Sequence, residues 1–272
     1  MTQPPVVLTI AGSDSGGGSG LQADLRTFAA RSVHGVCSLT VISSQNTNEF
    51  RSALPVPALV VRSQIEAILD DFEVKSVKTG LLYSEENIEL IGEMADADLL
   101  PSLIVDPVIV NRHGELLYDS ATIALMRQRL IPKALVITPN HIEAMHILGA
   151  EIEDDVDSLA KAALELAAMG PSVVALTGGR RNAASVVDVV ACDGQVTFLE
   201  GVRFLTNNVR GTGDTFSAVI AAEVAKGTSL LDSVQKAQTF TAEAVRRAAT
   251  WKLGSGSGPI DHLGQLNEAR LD

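Results

Sequence analysis

Short apolar runs alternate with amphipathic segments along most of the chain. Residues 6–11, 36–44, 74–78, 103–105, 134–138 and 173–177 are compact apolar or β-branched stretches, and each reads as a strand. Between and after them, residues 21–31, 57–72, 84–95, 120–130, 142–148, 157–169 and 230–249 carry helical patterns. Leu21, Leu25 and Phe28 share one face of the first of these. Ser84, with Asn87 three positions on, marks the start of the third. Residues 186–192 and 195–199 flank Asp193-Gly194, which predicts a hairpin. Residues 216–225 are almost all small or apolar, with Glu223 the sole charge before Lys226, so this helix belongs in the core. Strand–helix alternation with short connections predicts an α/β fold: a mainly parallel central sheet with helices on both faces, as one domain over 1–272.

Ligands of such sheets bind beyond the carboxyl ends of the strands. Gly12, Gln45, Thr79-Gly80, Asp106, Asn140 and Gly178-Gly179 each follow an expected strand and would collect along that edge. The buried helix is preceded by Asn208-Val209-Arg210-Gly211-Thr212-Gly213-Asp214. Gly211 and Gly213 permit a tight turn, and the first N–H groups of the helix carry partial positive charge. Such a turn holds an anion, above all a phosphate. Asp214 falls in the first helical turn beside it. The plainer alternative is a capped core helix, with Asp214 serving its own N-terminus.

These residue types suit phosphoryl transfer, which needs a divalent cation on the donor phosphates, fixed positive dipoles and an aligned acceptor. Asp214 is the candidate general base for an alcohol, with the Gly211 and Gly213 amides beside the transferring group. Asp106, Asn140 and Glu143 are candidate oxygen ligands for Mg2+. They serve equally as turn formers and a helix N-terminal charge.

Composition narrows the partners. Of 272 residues, 46% are hydrophobic, enough for a sizeable core, and the net charge of −12 argues against a nucleic-acid surface. Two distant cysteines, Cys37 and Cys192, form no metal-ligand spacing and no disulfide framework, and are expected to pack in strands. The five histidines show no ligand spacing either, and the N-terminal glycine loop lacks the acidic ribose partner of a dinucleotide-binding fold. Without a basic leader or a membrane-length apolar run, a cytoplasmic protein is expected.

The motifs also carry a resemblance. Gly211-Thr-Gly-Asp214 resembles the signature of the ribokinase-like kinases. The opening run from Thr9 through Gly20 to Asp24 and Leu25 is similar to that of their vitamin-kinase branch, which contains the hydroxymethylpyrimidine and phosphomethylpyrimidine kinases of thiamin synthesis and some pyridoxal kinases. Further matches fall at Gln45-Asn46-Thr47, Val77 to Gly80, Val105 to Val108, Ile137 to Ala144, Gly178-Gly179 and Gly256 to His262, in family order. The resemblance implies a ribokinase-like three-layer α/β/α fold, ATP with Mg2+, and phosphorylation of 4-amino-5-hydroxymethyl-2-methylpyrimidine or its monophosphate. It implies substrate contacts at Gly12, Asp24 and Gln45, nucleotide contacts at Asn140, Thr177, Gly179 and Thr212, and a homodimer. A carboxamide such as Gln45 suits an aminopyrimidine edge, since it offers a donor and an acceptor side by side.

Three positions depart from the thiamin-pathway pattern. Asp214 stands where cysteine is usual, Thr177 where lysine is frequent, and Arg210 where histidine is frequent. Beside an anionic acceptor, a carboxylate at about 4 Å costs on the order of 4 kcal/mol at an effective dielectric near 20 unless a cation intervenes. Arg210 and Mg2+ are the expected cations. The alternatives are a pyridoxal kinase that shares these loops, and a ligand-binding homologue without catalysis.

Overall fold

A computed structural model describes residues 3–111, 114–179 and 185–264. Its centre is a nine-stranded sheet in the order β3-β2-β1-β4-β5-β6-β7-β8-β9. The parallel body is β1 (Val6–Asp14), β2 (His34–Gln45), β4 (Val74–Thr79), β5 (Leu103–Val105), β6 (Val136–Ile137) and β7 (Val173–Gly179). Antiparallel strands close both sides: β3 (Phe50–Pro55) beside β2, and β8 (Ser185–Cys192) with β9 (Gln195–Val202) beyond β7.

Alternate residues of the central strands feed two separate cores, as a period of two requires. Leu8 and Ile10 of β1 pack into the larger core with α2 (Ala58–Leu69), α3 (Glu85–Asp96), α4 (Ser120–Arg129), α5 (His141–Leu148) and α6 (Val156–Ala167). Val7 faces the other way, into a core shared with α1 (Gly20–Ala30), α7 (Thr212–Ala225) and α8 (Leu230–Ala248). Helices therefore cover both faces, in the three-layer arrangement that the alternation implies. Ser84 caps α3 by accepting from the Asn87 N–H, and Asp193-Gly194 turns the β8–β9 hairpin with positive φ at both residues.

Several boundaries differ from the sequence reading. β1 continues through Gly12 to Asp14, with a bulge between Ala11 and Ser13, so the glycine loop starts later than its composition suggests. β7 likewise runs on through Gly178 to Gly179. β3 has no apolar alternation because it is a sheet edge with most residues exposed. Cys37 lies in β2 and Cys192 in β8, yet Cys37 is exposed and Cys192 half-buried, so neither is a core-packing residue. Among the described residues, no helix is long and apolar enough to cross a membrane.

α7 is the buried helix that its composition predicts: every residue from Thr215 to Glu223 is buried. Glu223 ends this run as a carboxylate in contact with three cations, Arg31, Lys226 and Lys236. Burial works to raise its pKa, but hydrogen bonds from Lys226, Arg31 and Lys236 outweigh it and hold the group at about 2. A depressed carboxyl pKa stabilises the fold above the ordinary value of 4.5, and that stability is lost as pH falls toward 2. In urea unfolding, wild type should therefore exceed Glu223→Gln by a constant margin above pH 5, and the margin should shrink between about pH 4.5 and 2. A margin independent of pH would contradict this assignment.

Candidate active site

The carboxyl ends of β1, β2, β4, β5 and β6 open toward one edge of the sheet, and the N-terminus of α7 arrives there from the second core. Gly211 is the N-cap of α7, with φ of +84°, a left-handed conformation that favours glycine. A Cβ on Gly211 would overlap the carbonyl oxygen of Gly18, so the two glycine loops touch backbone to backbone. Thr212 N–H turns to the Val209 carbonyl and Thr215 N–H to that of Gly211. The amides of Gly213 and Asp214 have no intrahelical acceptor, and Gly213 is exposed. The expectation named the Gly211 and Gly213 amides; with Gly211 as N-cap, the amides of Gly213 and Asp214 and the helix dipole present positive charge at this edge.

Asp214 does not cap its own helix. Its carboxylate keeps 18% of its side-chain surface and lies 3.7 Å from the ammonium of Lys78. Lys78 falls within the Val77 to Gly80 match, and its strand pattern gives no sign of the burial found here. It is wholly buried at the end of β4, with its Nζ 2.8 and 2.9 Å from the two carboxylate oxygens of Asp24. Thr9 donates to Asp24 at 2.6 Å. Burial disfavours the Lys78 charge, but Asp24, Asp214 and Asp106 together hold its pKa above the ordinary lysine value. Asp24 was expected to touch substrate. It has no exposed surface and both oxygens are occupied by Lys78 and Thr9, so it lies beneath the site.

Arg210 is likewise committed. Its Nε donates to Asp14 at 2.9 Å, and its stem covers Gly18. Asp14 also accepts from the N–H groups of Gly16, Gly18 and Ser19 and from the Ser19 hydroxyl, so one carboxylate shapes the whole loop. Burial would raise the Asp14 pKa, but Arg210, Ser19 and the Gly16 amide reverse the effect and lower it. Gly12 lies buried inside β1 against Val41, in the strand rather than an open loop, which removes the basis for a ligand contact there. Gln45 ends β2, where Ser15 both donates to its carbonyl and accepts from its N–H, leaving a half-buried side chain at the edge.

Asn140 and Glu143 close a capping box on α5. The Asn140 oxygen accepts from the Glu143 N–H, and Glu143 accepts from the Asn140 N–H, both at 3.0 Å. Asn140 thus spends its oxygen on the helix, as the turn-forming alternative required. Glu143 is buried and reaches farther, to the Ile109 N–H at 3.0 Å. Val108 adopts φ of +43°, a strained conformation for a β-branched residue. The strain turns the backbone of this loop toward Asp106 and Glu143, which accept from it. Asp106 itself accepts from Ser217 of α7 at 2.9 Å. Burial raises the pKa of both Asp106 and Glu143, and each is affected by a neighbouring carboxylate.

Mg2+ fits this corner. Two buried carboxylates crowd together, and the buried hydroxyls of Thr79, ending β4, and Thr138, just past β6, have no hydrogen-bond partner. Mg2+ takes one or two carboxylates together with water and substrate phosphate, so a sparse set is sufficient. Among the described residues, no three His, Cys, Asp or Glu side chains form a ready-made cage.

Beyond Asn140, Thr177 bridges to it in parallel, with its N–H on the Pro139 carbonyl. Asp188 receives the Gly178 N–H at 2.9 Å and the Gln238 amide at 3.0 Å, where the β7 register shifts between Leu176 and Gly179. Gly179 is buried where a Cβ would meet Leu159 and the Val187 carbonyl, so packing accounts for this glycine. His262 was another residue without an assigned role. It is buried and lies 2.9 Å from the Thr215 hydroxyl, bracing the first turn of α7. Burial, then Arg26, lowers its pKa to about 4, so the imidazole is neutral near pH 7.

Known proteins are similar to this chain in sequence and in fold. The chain is 38% identical over 265 residues to a hydroxymethylpyrimidine/phosphomethylpyrimidine kinase of Streptomyces coelicolor, covering 97% of each chain. An ADP complex of Bacillus subtilis pyridoxal kinase superimposes with a TM-score of 0.89 at 34% identity, covering 99% of this chain and 100% of that one. A phosphomethylpyrimidine kinase from Clostridium difficile gives 0.78 at 32%, covering 89% and 99%. The phosphomethylpyrimidine kinase family model matches residues 14–261, from the Asp14 that shapes the glycine loop to the Asp261 beside His262, and the chain belongs to that family.

Proposed function

We propose that this protein transfers the γ-phosphoryl group of ATP to the hydroxymethyl oxygen of 4-amino-5-hydroxymethyl-2-methylpyrimidine in thiamin synthesis. The observation that carries the reading is Asp214: a partly exposed carboxylate in the first turn of a buried helix, beside two amides without intrahelical acceptors. The acceptor hydroxyl approaches Asp214, which takes its proton as the oxygen attacks the γ-phosphorus. The bond from that phosphorus to the bridging oxygen breaks, and ADP leaves. The Gly213 and Asp214 amides face the charge that develops on the transferring group. Asp106 and Glu143 would hold Mg2+, whose charge neutralises the donor phosphates. Gln45 presents its carboxamide to the aminopyrimidine edge, while Thr177, Thr212 and the fixed Gly178-Gly179 turn border the nucleotide.

Pyridoxal is a second acceptor to weigh, because the superposition on pyridoxal kinase is extensive. The Gln45-Asn46-Thr47 match favours the pyrimidine. One kinase unit over 1–272, a cytoplasmic location and a homodimer complete the proposal. Phe50 and Leu54 on the free edge strand β3 are 59% and 64% exposed, which supports pairing through that edge.

Asp214→Asn should lower kcat on the pyrimidine alcohol by about 10²-fold or more, in steady-state assays at saturating ATP. Unchanged turnover would remove Asp214 from the base role. An acceptor that is already a monophosphate needs no base and meets the Asp214 charge. Its kcat/KM should therefore fall below that of the alcohol in wild type, and the Asp214→Asn loss on it should be smaller. Equal efficiency on both acceptors would contradict the charge argument.

A further inference from the structure

Lys78 is a buried charge without a role in the steps above. A lysine with no exposed surface carries a large desolvation cost unless paired, and this one has more than a single partner. Asp24 grips it through both oxygens, and Thr9 orients Asp24 in turn. A hydrogen-bonded pair of this kind would satisfy Lys78 by itself. Instead the ammonium also stands 3.7 Å from Asp214, which is partly exposed where Lys78 and Asp24 are not. The order is thus Thr9, Asp24, Lys78, Asp214: a chain of polar contacts running from the interior of β1 and α1 to the catalytic carboxylate.

We infer that Lys78 is a positioning residue that aims the Asp214 carboxylate and offsets its charge as the acceptor binds. The inference rests on Asp214 acting as base. Arg210, the cation expected for this purpose, is occupied by Asp14 and shapes the loop instead. At 3.7 Å the ammonium is close enough to attract the carboxylate but outside direct hydrogen-bond length. Asp214 therefore keeps its lone pairs for the acceptor hydroxyl. Asp24 holds Lys78 back from closing on Asp214, so both acidic neighbours are needed for the spacing.

The test is a double-mutant cycle on turnover of the pyrimidine alcohol. Lys78→Met is made together with Asp24→Asn, so that no lone charge remains in the interior. The paired change should lower kcat by about 30- to 100-fold with KM within about 3-fold. In an Asp214→Asn background the same change should cost less than about 3-fold, because its target is gone. Equal losses in both backgrounds would overturn the inference, as would a drop in Tm with kcat intact. Asp214→Asn alone separates the two claims: if it leaves turnover whole, the base assignment fails. If it lowers turnover while the Lys78 effect is additive, only the positioning role fails. Should the paired variant not fold, Asp24→Asn alone frees Lys78 without removing its charge. It should lower kcat at unchanged KM, and wild-type kcat there would overturn the inference.

Discussion

Two backbones meet at Gly211 and Gly18 with no room for a side chain between them. That contact fixes the N-terminus of α7 over the end of β1, and the rest of the site follows from it. The helix behind is anchored by its buried run from Thr215 to Glu223. Asp14 tightens the facing loop with four hydrogen bonds from its residues, and the Arg210 side chain lies over the join. A rigid cradle of this kind has its dipoles aligned before a phosphate arrives, which is the condition for electrostatic stabilisation during transfer.

Charge is distributed around the cradle in two groups. Asp24, Lys78 and Asp214 form one, in which a single buried ammonium pairs with two carboxylates and also acts on Asp106 of the other. Asp106 and Glu143 form the other, two buried carboxylates close enough that Asp106 raises the Glu143 pKa. Ser217 ties the second group to α7 by donating to Asp106. Both groups of carboxylates are thereby tied to the same helix. On the proposed function, local dipoles and cations act on the phosphates where a net charge of −12 would repel them.

Much of this was legible in the sequence because the signals are local. The buried character of α7, the cap at Ser84 and the Asp193-Gly194 hairpin depend on neighbours within a few positions, and each appears as its pattern implies. Edge strand β3 was not legible, since an exposed strand needs no apolar alternation. Lys78 was hidden for a different reason. Lysine inside a strand reads as a surface residue, and only long-range folding brings it to Asp24, 54 positions earlier. The same limit applies to Asp24 and Gly12, whose motif positions suggested ligand contact but whose surroundings are interior. Asn140 shows how one pattern admits two uses: a turn residue that could face a metal gives its oxygen to the capping box.

The central claim is geometric: the acceptor hydroxyl sits between Asp214 and a phosphoryl group held by the α7 amides. A crystal structure with the pyrimidine alcohol and a non-hydrolysable ATP analogue tests it most directly. The account predicts the hydroxymethyl oxygen within hydrogen-bond reach of the Asp214 carboxylate, at about 3 Å, and the terminal phosphate against the Gly213 and Asp214 N–H groups. A hydroxyl directed away from Asp214, or a terminal phosphate remote from the start of α7, would contradict it.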